Sequence, residues 1–118
     1  MDCMKQIELI KMDFVKCRKL LSAIGDETRQ NIITALMGSC AGMRVGDITQ
    51  KTHLSRPAVS HHMRIMLDCG IVALDKQGTK NYYSLNIGEE FQNLLVLIGH
   101  IAEFKGARDA GLLTGVSK

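Results

Sequence analysis

The sequence predicts a mainly α-helical chain that carries one small β-hairpin. Three observations predict it. Apolar residues recur at steps of three and four along most of the chain. Short polar residues able to cap a helix, Asp26, Asp47 and Ser55, stand ahead of three of these stretches. Two short β-rich runs flank the polar, glycine-containing turn "KQGT". With 118 residues the chain fits one domain over 1–118, with a Gly-rich tail from about residue 107 that is expected to fray.

Each element has its own signal. Ile7, Ile10, Phe14, Cys17 and Leu21 form one stripe and predict a first helix over residues 5–21, broken by Gly25. Asp26 can cap a second helix by accepting from its free N–H groups, and Glu27 suits the first turn. Ile32, Ile33, Leu36 and Met37 supply that helix with an apolar face, and it is expected to stop at residues 38–42. "MRV" predicts a short extended piece, after which Asp47 is expected to start a brief third helix, "ITQKT". Ser55 reads as the cap of a fourth helix. Pro57 falls in its first turn, where a missing N–H costs nothing. Gly70 reads as its C-terminal stop. "IVALD" and "KNYYSL" are the hairpin strands, and a last helix runs from Glu89 to about Ala107.

Composition narrows the function. Hydrophobic residues make up 46% of the chain, too many for disorder, and five aromatics without tryptophan predict an aliphatic, Met-rich core. The longest apolar run, Leu94 to Ile98, is too short to span a bilayer. The stretch "MDCMKQIELIKMDF" mixes charges among its apolar residues and has no signal-peptide core, so the expectation is a soluble, cytoplasmic protein without a membrane partner. Four cysteines without paired spacing fit reduced thiols. The net charge of +3 is concentrated: residues 44–83 hold six Lys/Arg against three Asp, which is a local +3. A local basic excess is what phosphate contacts require.

The fourth helix gathers that charge on one side. Val59, Met63, Met66 and Gly70 fall on one face, and Arg56, Ser60, His61 and Arg64 on the other. The helix follows a short one after a tight turn, which is the helix-turn-helix layout. In that layout the second helix enters the major groove of DNA, with its N-terminal residues at the base edges. Arginine can fork onto guanine or clamp a phosphate, and the helix N-terminus adds partial positive charge. The hairpin tip that follows carries Lys76, Gln77, Thr79 and Lys80, the chemistry of a wing that reaches the DNA backbone. The expected DNA contacts are therefore Ser55, Arg56, Ser60, His61, Arg64, Lys76, Gln77, Thr79 and Lys80. In the last helix, five consecutive apolar residues, Leu94 to Ile98, cover the whole circumference. One core-facing stripe cannot bury them all, and a second chain is the simplest cover. A two-fold dimer then reads a pseudo-palindromic site in double-stranded DNA.

"LSAIGDETRQNIITAL" and "MRVGDITQKTHLSRPAVSHHMRIMLDCGIVALDKQGTKNYYSL" together resemble the ArsR/SmtB family of small winged helix-turn-helix repressors. The resemblance covers residues 20–85, and the flanking helices fit the same plan. It implies a homodimer built through the first and last helices, and a repressor released from its operator by a metal ion, a thiol-reactive agent or another chemical signal. The family's Cys-Val-Cys segment is missing, since Met43-Arg44-Val45-Gly46-Asp47 stands there. Of the family's other metal site, the late pair is present as His100 and Glu103. The early pair falls at Ile87, which binds no metal, and Glu89, which could reach a site only from the partner chain. That set could take Zn or another divalent metal, and the sequence establishes no cofactor beyond it. Cys40 and Cys69 invite a redox reading, although neither shows the neighbouring positive charge that activates a thiol. Cys17 lies on the apolar stripe of the first helix and reads as core.

Two other classes fit the sequence less well. No Gly-rich phosphate loop and no nucleophile with a base at readable spacing appear, so an enzyme is not expected. A winged helix used for protein or RNA contacts is the alternative. A protein-binding face would show exposed aromatic or aliphatic residues where Arg56, Ser60, His61 and Arg64 stand.

Overall fold

The computed structural model describes residues 2–111. The order of elements is α1 (Cys3–Ile24), α2 (Glu27–Met37), α3 (Val45–Thr52), α4 (Arg56–Asp68), β1 (Val72–Gln77), β2 (Lys80–Leu85) and α5 (Glu89–Asp109). The expected sequence of four helices, a hairpin and a final helix is therefore found. A frayed tail is expected from about residue 107, but α5 continues to Asp109; the rest of that tail, residues 112–118, lies outside the described residues.

Two local expectations are corrected. The third helix begins at Val45, not after Asp47. Asp47 sits three residues inside the cap position, and its carboxylate accepts the Arg44 backbone N–H at 3.1 Å, closing the first turn from within. The hairpin turn is two residues, Gly78 and Thr79, and not the four of "KQGT". Gly78 at φ 65° supplies the left-handed residue that so tight a turn demands, and Gln77 and Lys80 pair across it. Met43 adds an extended bridge to the hairpin, exchanging two backbone hydrogen bonds with Tyr83 at 2.8 and 2.7 Å.

The chain divides into two compact units, Lys19–Glu90 and Met1–Arg18 with Phe91–Lys118. The first contains the helix-turn-helix and the hairpin. Its buried residues include Leu20, Ile32, Leu36, Ile48, Val59, Met63, Met66 and Ile71, all aliphatic or methionine, as the composition predicts. The second buries Cys3, Asp13, Cys17 and Leu97 among its described residues.

The corner between α1 and α2 shows how completely the backbone is satisfied. The last four carbonyls of a helix have no partner within it. Here Gly25 N–H donates to Leu21 O at 3.0 Å. The Arg29 guanidinium donates to Ser22 O at 3.3 Å and Ala23 O at 2.7 Å. The Gln30 amide donates to Ile24 O at 2.7 Å. Asp26 in turn accepts the Arg29 backbone N–H at 2.9 Å and caps α2. That bond is the main cause that holds the Asp26 carboxyl below its ordinary range.

Candidate nucleic-acid interface

Helix α4 is built so that one side anchors and the other is free. Ser55 caps it, its Oγ accepting from Ala58 N–H at 3.2 Å, and Pro57 occupies the first turn. Val59, Met63 and Met66 are buried. Arg56, Ser60, His61 and Arg64 are exposed, as the spacing predicts. His61 faces solvent, whereas His62 is half-buried and meets Arg29 of α2 across 3.2 Å. The two imidazoles stand edge to face, with ring centroids 5.4 Å apart.

The hairpin tip brings its polar residues to the N-terminal end of this helix. A groove of about 440 Å³ is lined by Arg44 and Asp47 of the α3 start, Arg56 of α4, and Thr79, Lys80 and Asn81 of the turn and β2. Gly46 and Gln50 also line it. Among the described residues no ion pair or hydrogen bond engages the cationic ends of Arg44, Arg56, Arg64, Lys76 or Lys80. Of these, Arg44, Arg56 and Lys80 line the groove, where cations without internal partners can seat an external anion. Arg44, Gln50 and Asn81 were not among the expected contacts. Their signal was available: Arg44 belongs to the basic middle of the sequence, and a helix-turn-helix exposes the start of its first helix beside the second. Ser55 is exposed, but its side chain is committed to the cap.

Comparison with known proteins bears on the family and the fold. The sequence model of the family described as "Bacterial regulatory protein, arsR family" matches residues 26–73, from the cap of α2 into β1. The transcriptional repressor SdpR of Bacillus subtilis is 36% identical over 67 residues, which are 57% of this chain and 72% of that one. This chain belongs to the ArsR family. An arsenical resistance operon repressor of Staphylococcus aureus is 29% identical over 89 residues, 73% of this chain and 84% of the relative. Among solved structures, an ArsR-like transcriptional regulator from Rhodococcus sp. RHA1 matches with a TM-score of 0.72 at 25% identity, covering 82% of this chain and 87% of that one. The fold is thus the winged helix-turn-helix of ArsR-like regulators, and the family is one of transcriptional regulators. None of the described helices is long and apolar enough to cross a membrane.

The residues that could answer a chemical signal in this ArsR-family chain lie elsewhere. In the unit containing α5, His100 Nδ1 and Asp13 Oδ2 are 2.5 Å apart, and Asp13 is buried. Gln6, Leu9, His100 and Glu103 line a cavity of about 90 Å³. Gln6 Oε1 is buried without a hydrogen-bond partner. The Asp13 carboxylate favours the Nδ1–H tautomer of His100 and leaves its Nε2 lone pair open, the arrangement by which carboxylates orient metal-binding imidazoles. Two side-chain ligands and an amide oxygen fit a cation only in part. Among the described residues no three His, Cys, Asp or Glu side chains gather as a metal site, and Glu89 does not join His100 and Glu103 within one chain. The thiol expectation fares worse. Cys69 is buried, and burial pushes its thiol above the ordinary range, the reverse of what a reactive thiolate needs. Cys40 is exposed, and Cys17 is fully buried as expected.

Proposed function

We propose that this chain is a sequence-specific, DNA-binding transcriptional repressor that works as a homodimer and leaves its operator on a chemical signal. The observation that carries the reading is the exposed face of α4. Arg56, Ser60, His61 and Arg64 are free, and the wing and the α3 start add unpaired cations beside them. In a major-groove pose, α4 supplies base contacts from Arg56, Ser60, His61 and Arg64. Arg44, Lys76, Gln77, Thr79 and Lys80 supply backbone contacts. The test is binding of the purified protein to duplex DNA from upstream of its own gene. Affinity should fall steeply as salt rises. Arg56→Ala and Arg64→Ala should each weaken binding, by about 1–3 kcal/mol where the contact is bidentate. Unchanged affinity in both variants removes α4 from the interface.

The dimer is supported by the unit that contains α5. Its exposed residues include Met12, Phe14 and Val15 of α1 and Leu95, Ile98 and Ile101 of α5, with Leu95 62% and Ile98 54% accessible. An isolated unit with so few buried apolar residues and so many exposed ones gains most by pairing with a second copy. A two-fold dimer carries two α4 helices and matches a pseudo-palindromic operator.

The signal we assign to a divalent cation such as zinc, held by His100 and Glu103 of one chain with Glu89 of the second. A bound cation would tie the two chains together through charges that no single chain brings into one place. Direct zinc titration of the dimer, with and without His100→Ala, measures the site itself; superimposable curves dismiss it.

A further inference from the structure

Arg29 is committed on every side. Its Nε and Nη2 donate to the carbonyls that end α1, its Nη2 lies 3.9 Å from Asp26 Oδ2, and its Nη1 lies 3.2 Å from Nδ1 of His62. A guanidinium has no acceptor, so His62 Nδ1 must present a lone pair and carry its proton on Nε2. The contact exists only with a neutral imidazole. His62 belongs to α4, immediately after the DNA-facing His61, and its side chain is turned inward. Arg29 therefore joins three elements within one compact unit: the end of α1, the start of α2 and the middle of α4.

We propose that Arg29 is a positioning residue that holds the recognition helix through the neutral imidazole of His62, and that protonation of His62 releases the helix from this hold. The proposal rests on the DNA-binding reading for its affinity measurement and on geometry alone for the rest. The charged and titratable groups that face His62 are Asp26 and Arg29 of the α2 start and His61 of its own helix; the end of α1 offers backbone carbonyls. Burial is the chief cause that holds His62 below the ordinary histidine range. Asp26 opposes it, and Arg29 and His61 reinforce it. At neutral pH the latch is closed. A proton on Nδ1 would set N–H against N–H beside a guanidinium that its other bonds keep from turning away. The free energy of the contact is lost as the pH falls below the ordinary histidine value of about 6.5 and through the lower value of the folded state.

Nitrogen-15 histidine spectra of the full chain test the tautomer without DNA. His62 should be the Nε2–H form at neutral pH, with a titration midpoint below that of free histidine. An Nδ1–H form overturns the proposal. Affinity for a fluorescein-labelled duplex, enriched by this protein from a random-sequence pool, is then followed from about pH 7.5 to about pH 5.5, the window in which histidine changes charge. His62→Asn places a non-titrating carbonyl where Nδ1 stands. It should bind as the parent does at the upper end and hold about tenfold more of its affinity at the lower end. Arg29→Met should bind about tenfold more weakly at neutral pH. Identical pH profiles for the parent and His62→Asn sink the latch, whatever Arg29→Met does to folding. Should no duplex be enriched, the DNA-binding reading fails instead. Amide exchange along α4, faster at low pH in the parent than in His62→Asn, then still decides the latch.

Discussion

Gly46 has no side chain, and the Arg56 guanidinium lies in the space one would take. A Cβ there would stand 3.0 Å from Arg56 Nη2. The obstructing atom is the end of a flexible side chain, so the backbone can stay while the guanidinium must give by a few tenths of an ångström. Gly46→Ala should raise stability by up to about 1 kcal/mol, because alanine suits a helix better than glycine. The same change should weaken DNA binding several-fold by displacing Arg56. Urea unfolding and fluorescence anisotropy on one preparation would separate the two effects, and a loss of both would mean that Gly46 serves the fold. His53 makes the opposite case. It closes α3 in the left-handed region at φ 59°, which a Cβ disfavours. His53→Gly should stabilise the protein by roughly 0.5–1 kcal/mol after the entropy of the freer chain is counted. His53→Val should destabilise it, with both read as shifts of the urea midpoint.

At the scale of elements, the wing depends on a close backbone approach. Gly42 sits at φ 87°, and a Cβ on it would come within 2.8 Å of Tyr83 O. That is the carbonyl that accepts from Met43 N–H, so the strain would fall on the bridge between the α2–α3 connection and β2. Gly42→Ala should cost about 2 kcal/mol or more. The cost should appear in the urea midpoint and in faster exchange of the Tyr83 amide. Removing the Ser55 cap of α4 by Ser55→Ala should cost about 1 kcal/mol. All seven elements were legible in the sequence because apolar spacing and cap residues are local signals. The errors arose where a local signal had two uses. Asp47 can cap a helix from in front or close its first turn from within, and only the Arg44 N–H decides which. The residues of "KQGT" can form a four-residue turn or lend two of them to the strands, and pairing of Gln77 with Lys80 decides that.

For the whole molecule, the expected behaviour is set by apolar surface and charge. Under the proposed pairing of two chains, Leu95→Glu should leave a monomer in analytical ultracentrifugation, since burying a leucine is worth about 1.5–3 kcal/mol and a two-fold interface loses it twice. A variant that remains dimeric would place the interface elsewhere. As monomers, the chains should bind a two-half-site operator far more weakly. The exposed α4 face was legible because four polar positions opposite three buried ones follow from helical period alone. The sequence by itself determined the elements, their order and the basic middle third, since each follows from spacing and side-chain chemistry within one segment. Only the tertiary structure decided that Arg29 ends α1 and grips His62, that Asp13 engages His100, and that Arg44 and Arg56 share a groove with the wing. Those pairs are 33, 87 and 12 residues apart or share no helical face, and no periodicity within a segment encodes which distant side chains will meet.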